Sequence, residues 1–175
     1  MTKTAGRAAG ATGVVLLTLA SGQFVMALDT TVMNTAIATV AADLDTTVTG
    51  IQTAITLYTL VMASLMITGG KVGEILGRKR AFMIGAVVYA SGSLTTALSQ
   101  SLTMLMIGWS LLEGLGAVLI MPAIVALVAS NFGAAERPRA YGLVASAGRS
   151  LTRRANNRIS PISTTSPAKT QRHDA

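Results

Sequence analysis

Four long apolar runs, separated by short polar segments, dominate the chain. They cover residues 14–38, 52–70, 81–99 and 103–131. Each run is near or above the roughly 20 residues that a helix needs to cross a bilayer. Helices are required because lipid leaves open backbone groups without partners, and the alternation typical of a membrane barrel is absent. The pattern therefore predicts an all-α integral membrane bundle with four transmembrane helices.

The two ends of the chain differ from these runs. Residues 1–13 are polar and basic, and the run that follows is too long for a signal peptide, so we interpret it as a first span. A fifth apolar stretch, 140–148, is too short to cross the membrane and predicts a partial fifth helix. Residues 149–175 are basic and rich in Ser, Thr and Pro, with few apolar residues to bury. We expect this tail to be disordered.

Charge is distributed as membrane topology requires. Only 12% of the residues are charged, against about 25% in soluble domains. The clusters 71–80 and 137–139 fall on the same side as the N-terminus, whereas Asp43 and Asp45 fall on the other. By the positive-inside rule, we expect a multi-pass plasma-membrane protein whose N-terminus and C-terminal tail are cytoplasmic. The net charge of +7 comes from basic clusters between the apolar runs that set the membrane topology, so no nucleic-acid partner is expected.

The composition offers little chemistry for an enzyme. There is no cysteine, and His173 is the only histidine. We therefore expect no metal site and no cofactor. No set of nucleophile and base is recognisable either, which argues against an enzyme.

Two acids lie inside the apolar runs. A carboxyl group at membrane depth is costly and suggests a functional site. Asp29 is near the middle of the first run, and Glu113 is in the fourth. Each has two interpretations: a carboxyl on the substrate or proton pathway, or a hydrogen-bonded packing residue between helices. Near Glu113, Gly114 and Gly116 allow close helix packing, and Pro122 can kink the helix.

The segment between the second and third runs reads GKVGEILGRKRAF, residues 70–82. Its glycines allow a tight reversal, and its basic residues anchor the next helix. The segment resembles the signature loop of the major facilitator superfamily, on the side that the family requires. Glu74 stands where the family usually has Asp. The resemblance implies a cytoplasmic gating motif made of Gly70, Gly73, Glu74, Gly77, Arg78 and Lys79.

Two further segments resemble the fourteen-span drug:proton antiporters of that superfamily. In LDTTVMNTAIATVAADL, residues 28–44, Asp29 and Asn34 match the first-span motif. The resemblance makes Asn34 a third candidate, beside Asp29 and Glu113, for the substrate or proton pathway. In residues 108–123, the glycines at 114 and 116 and Pro122 match the fourth-span motif, but Ser110 replaces the usual arginine. The resemblance implies that this arginine takes part in proton coupling, a role that Glu113 could take over.

The resemblance implies proton-coupled export of drugs or small molecules, with the lipid bilayer, a small-molecule substrate and protons as partners. It covers about residues 10–148 and then stops. We therefore expect an N-terminal fragment, truncated or frameshifted, that is inactive by itself. Two alternatives stay open: a small four-span multidrug exporter acting as an oligomer, and a non-transporting membrane scaffold protein.

Overall fold

All regular structure in the described part of the chain is helical. The computed structural model describes residues 2–159. Its elements, in chain order, are α1 (Thr2–Thr35), α2 (Ile37–Asp43), α3 (Val48–Leu76), α4 (Arg78–Ala97), α5 (Leu102–Leu105), a π-helical segment (Met106–Glu113), α6 (Gly114–Asn131) and α7 (Arg137–Ile159). This confirms the all-α class predicted from the apolar runs.

The four predicted spans correspond to four stretches of helix. Within the described residues, three are long and apolar enough to cross a membrane: Gly13–Thr35, Val48–Leu76 and Leu102–Asn131. The predicted span 81–99 corresponds to α4, which does not meet the same criterion of length and apolar composition. The cause is its composition, since α4 begins with three basic residues and contains several Gly, Ser and Thr residues.

These small residues of α4 pack against protein. A methyl group at Gly116 of α6 would stand 2.7 Å from the backbone nitrogen of Tyr89, and one at Gly92 would stand 2.7 Å from that of Glu113. Such separations are too short for a side chain, so the backbones of α4 and its neighbours are in direct contact. Small residues permit this approach between membrane helices. The lower hydropathy of α4 therefore reflects a helix that packs closely on α6.

Large apolar side chains cover much of the outer surface. Ile67 of α3 is 81% exposed and Val87 of α4 is 70% exposed. Extensive apolar exposure marks an interaction surface rather than a surface in water. These side chains are suited to contact lipid, as the long apolar runs indicated.

Short connections join the helices and segregate the charges. Gly77 links α3 to α4 with φ of 88°, a conformation that favours glycine. At the other end of the bundle, the Thr47 hydroxyl accepts a hydrogen bond from the Gly50 amide and caps α3. We call the end that contains Gly77 the basic end, and the end that contains Thr47 the opposite end.

The last helix extends further than the sequence suggested. α7 packs against α1, and a methyl group at Gly148 would meet Ala27 at 3.3 Å. The partial fifth helix was expected to stop at Gly148, but α7 continues to Ile159. The predicted disorder therefore does not hold for residues 149–159, where the polar and basic residues continue the helix. Residues 160–175 of the predicted tail lie outside the described part.

Candidate functional site: a carboxyl cluster between four helices

A π-helical segment in the fourth span turns three side chains inward. Trp109, Ser110 and Glu113 lie within Met106–Glu113, and all three are 0% exposed. Segments of this type widen a helix locally and occur frequently at functional sites. Here the segment places an acid and the chain's single tryptophan in the middle of the bundle.

Asp29 of α1 is held by donors from two other elements. Its Oδ2 accepts a hydrogen bond of 2.8 Å from Trp109 Nε1 and one of 3.1 Å from the Tyr89 hydroxyl of α4. The Tyr58 ring of α3 stacks on Trp109, with ring centroids 4.8 Å apart and an interplanar angle of 22°. Asp29 is thereby connected to α3, α4 and the π-helical segment.

Glu113 is the second acid of this arrangement. Its Oε1 accepts a hydrogen bond of 3.3 Å from the Thr96 hydroxyl, and its carboxyl group also interacts with Asp29 and Tyr89. Its Oε2 is buried and has no hydrogen-bond partner among the described residues. We call Asp29, Tyr58, Tyr89, Thr96, Trp109 and Glu113 the carboxyl cluster.

Ser110 does not belong to this cluster, although it occupies the position of the arginine in the antiporter motif. Its hydroxyl donates a 2.8 Å hydrogen bond to the carbonyl oxygen of Ala54 on α3. The side chain therefore points away from Asp29. The neighbouring residue, Trp109, supplies a donor to Asp29 instead.

Sequence reasoning singled out both acids but missed their donors, Trp109 and Tyr89. A signal was available, because Trp and Tyr are enriched at membrane interfaces, whereas Trp109 lies inside an apolar run. A buried indole usually finds an acceptor for its N–H group. The carboxylate of Asp29 is such an acceptor.

Asn34, the third candidate on the pathway, is not brought to the cluster. It is exposed on α1, and its Nδ2 donates a hydrogen bond of 2.7 Å to the carbonyl oxygen of Thr30 on the same helix. More than one turn of helix separates it from the position of Asp29.

The loop residues with a predicted gating role lie at the basic end. Glu74 is exposed and is 3.9 Å from Lys71 in an ion pair within α3. Arg78 crosses to α6, where its Nη1 donates a hydrogen bond of 3.2 Å to the carbonyl oxygen of Ala126. Lys79 is exposed, whereas Gly73 is buried, and a methyl group added to it would lie 3.6 Å from the side chain of Ala81. The loop is therefore tied to the fourth span through Arg78.

The glycines and proline of the fourth span lie at contacts between helices. A methyl group at Gly114 would stand 3.1 Å from Val61 of α3, and one at Gly70 would stand 3.9 Å from Pro122. Pro122 lies inside α6 and has no N–H group to offer the carbonyl oxygen of Val118. That oxygen instead lies against Gly69 of α3.

Two cavities adjoin the cluster. One, of about 310 Å³, extends from Asp29 and Thr96 to Asp43 and Ser99 at the opposite end. The other, of about 580 Å³, is an apolar groove between α1 and α4 that includes Gly22, Phe82 and Tyr89. Small-molecule sites are commonly apolar clefts with a few convergent polar groups. Both cavities have this character.

Comparison with known proteins identifies the family. Residues 19–149 match the family model described as Major Facilitator Superfamily. The chain is 31% identical over 130 residues to a riboflavin transporter of Clostridioides difficile (strain 630), covering 74% of this chain and 28% of the relative. It is 34% identical over 134 residues to a methylenomycin A resistance protein of Bacillus subtilis (strain 168), covering 75% and 28%.

A third relative is a probable actinorhodin transporter of Streptomyces coelicolor, 39% identical over 115 residues, which are 66% of this chain and 20% of the relative. The chain thus spans less than a third of the length of these relatives. A small four-span exporter, left open by the sequence, does not account for these matches. Members of the matched family are multi-pass membrane transporters and not enzymes. The chain belongs to the major facilitator superfamily.

Proposed function

We propose that this chain forms the N-terminal part of a proton-coupled exporter of drugs or other small organic molecules in the plasma membrane. The observation that carries the proposal is the pair of acids in the carboxyl cluster, the partly buried Asp29 and the fully buried Glu113. Ionisable residues inside membrane spans commonly serve as relays for protons or contacts for substrate. The names of the relatives, which include resistance to methylenomycin A and transport of riboflavin, support small organic substrates.

The charges support one orientation. Lys71, Arg78, Arg80, Arg137 and Arg139 lie at the basic end, in and around the connections that join α3 to α4 and α6 to α7. Basic residues are retained on the cytoplasmic side during insertion. The basic end is therefore the cytoplasmic end in this proposal, with the N-terminus on the same side.

The exposed loop residues support a gating role at that end. Glu74 and Lys79 are exposed, and Arg78 ties the loop to α6. A movement of α6 would therefore be transmitted to the loop. Asn34, exposed on α1, is kept as a candidate contact for substrate.

Transport by alternating access needs two bundles that move around a central site. The described helices form part of one bundle, and the chain spans 28% of the length of two of the relatives. We therefore expect no transport from these residues alone. Proteoliposomes that contain the 175-residue chain should show no dye efflux under a proton gradient. Clear efflux would contradict this part of the proposal.

A chimera tests the function itself. Residues 19–149 of this chain, which match the family model, would replace the corresponding segment of the methylenomycin A resistance protein of Bacillus subtilis. The chimera should confer resistance that an uncoupler removes, and D29N and E113Q should each abolish it. D45N is the matched control, because Asp45 is exposed at the opposite end and should tolerate the change. A chimera that stays resistant with both D29N and E113Q would overturn the proposal.

A further inference from the structure

The two acids of the carboxyl cluster are unequally supplied with donors. Two N–H or O–H groups reach the same oxygen of Asp29. Glu113 receives a single donor on Oε1, and its buried Oε2 receives none from the described residues. A buried charged oxygen without a partner is costly, whereas hydrogen bonds to an ionised acceptor are strong. The hydrogen bonds therefore stabilise a negative charge on Asp29, whereas Glu113 lacks equivalent donors.

The groups that face the pair are neutral donors. They are Tyr89 and Thr96 of α4 and Trp109 of the π-helical segment, and Tyr58 of α3 stacks on Trp109. The sequence has no Lys or Arg in residues 14–70 or 81–136. No basic side chain of the four spans is therefore available to neutralise the pair. Among the side chains that the structure describes, no cation contacts the pair, and two neighbouring carboxylates then disfavour the state in which both are ionised.

We propose that Asp29 and Glu113 bind one proton as a pair, carried by Glu113 and donated to Asp29. Trp109 and Tyr89 are then positioning residues that keep Asp29 as the acceptor. The two carboxyl groups repel each other when both are ionised, and the proton replaces this repulsion with a hydrogen bond. The proton also removes the negative charge from Glu113, whose Oε2 lacks a donor.

The adjoining cavity offers the proton a path. It extends from Asp29 and Thr96 to the exposed Asp43 at the opposite end, with a volume of about 310 Å³. Release moves the proton from the buried Glu113 to Asp29, which lines this cavity, and from there to solvent, leaving two carboxylates. This inference deepens the proposed proton coupling and rests on it for its biological use, but the proton can be observed without transport.

Infrared spectroscopy of the full chain in lipid bilayers at neutral pH tests the pair. The wild type should show a carboxylic-acid C=O band equivalent to one group. E113Q should lose this band. D29N should keep it at a shifted frequency, because the acceptor changes from a carboxylate to an amide. E74Q is the matched control, since Glu74 is exposed in an ion pair, and its band should equal that of the wild type.

Several results would overturn the proposal. No band in the wild type would mean that both acids are ionised, and a band equivalent to two groups would mean that both are protonated. A band that persists in E113Q, or one that is lost or unmoved in D29N, would also contradict it. Circular dichroism of each variant shows whether the helices are retained, so that a lost band is read only from a folded chain.

Tryptophan fluorescence tests the positioning residues independently. Trp109 is the only tryptophan of the chain, so its emission reports directly on the bond to Asp29. D29N should shift the emission, whereas E113Q should leave it near that of the wild type. In the infrared experiment, W109F and Y89F should each shift the C=O band, because Asp29 becomes a poorer anion. Unchanged emission in D29N or an unmoved band in both donor variants would contradict the assignment.

Both measurements are independent of export. If the chimera gives no resistance but this chain shows the one-proton band, the export function is refuted and the pair is retained. If the chimera is resistant but this chain lacks the band, the pair is refuted and the export function is retained.

Discussion

The indole nitrogen of Trp109 donates a hydrogen bond of 2.8 Å to Oδ2 of Asp29, joining the fourth span to the first. The antiporter motif has an arginine one position later in the chain, but Ser110 stands there and bonds to Ala54 on α3. The acid in the first span is thus supported by neutral donors. This arrangement distinguishes the carboxyl cluster from an ion pair.

Replacement of Trp109 by phenylalanine should destabilise the bundle. The ring keeps its stacking on Tyr58, but the hydrogen bond to Asp29 is lost. A hydrogen bond to a charged group contributes about 1.5–3 kcal/mol, so we expect a loss of that size. Reversible unfolding in mixed micelles, followed by circular dichroism, would measure it. Y58F is the control, because it changes the ring stacked on Trp109 and keeps the Trp109 donor. An equal loss of unfolding free energy in both variants would contradict the assignment.

An arginine at position 110 should not restore an antiporter-like site. Ser110 is fully buried and faces α3, so the longer side chain would be forced into packed protein. Overpacking typically costs about 1–3 kcal/mol, and an unpaired buried charge adds to this cost. S110R should therefore unfold more readily than S110A, which loses only the bond to Ala54. A more stable S110R would show that the side chain can reach Asp29.

Substitution of Gly116 by alanine should disrupt the contact of α4 with α6. The new methyl group would stand 2.7 Å from the backbone nitrogen of Tyr89 and 2.8 Å from the carbonyl oxygen of Gly85. Backbone atoms cannot move aside as a flexible side chain can, so we expect a loss of about 2 kcal/mol or more. G142A is the control, because nothing lies within 4 Å of its new methyl group. It should be neutral or stabilise α7 by about 0.5–1 kcal/mol.

Substitution of Gly77 should also destabilise the protein, through backbone strain and not through a steric clash. An added methyl group would meet nothing within 4 Å, but the φ of this residue is 88°, which residues with a side chain rarely adopt. G77A should therefore cost about 1 kcal/mol or more through backbone strain. G133A is a matched control in another connection, with open space and no such φ. Equal unfolding midpoints for the two variants would contradict strain at Gly77.

The proposed orientation can be tested with single cysteines, because the chain contains none. Asp45 and Lys79 are both exposed and lie at opposite ends of the bundle. In intact cells, a membrane-impermeant maleimide should label D45C and leave K79C unlabelled. Permeabilised cells should label both, which serves as the control for accessibility. Labelling of K79C alone in intact cells would invert the topology.

The apolar runs predicted the helices well, because run length and the need to satisfy the backbone in lipid are local properties. The first, second and fourth runs correspond to helices that can cross a membrane. The third corresponds to α4, whose Gly, Ser and Thr residues lower its hydropathy while they allow contact with α6. The end of α7 was misjudged because a polar, basic composition indicated disorder where the helix continues to Ile159.

The sequence by itself determined the helical class, the segregation of charge and the presence of two acids at membrane depth, since composition and run length suffice for these. It also pointed to the family through the loop at residues 70–82. Only the tertiary structure decided which side chains meet. Asp29, Tyr89 and Trp109 come from helices far apart in the chain, and no local pattern encodes which face of each helix turns inward. The π-helical segment rotates Trp109 and Glu113 into the bundle, and the regular helical period cannot anticipate that rotation.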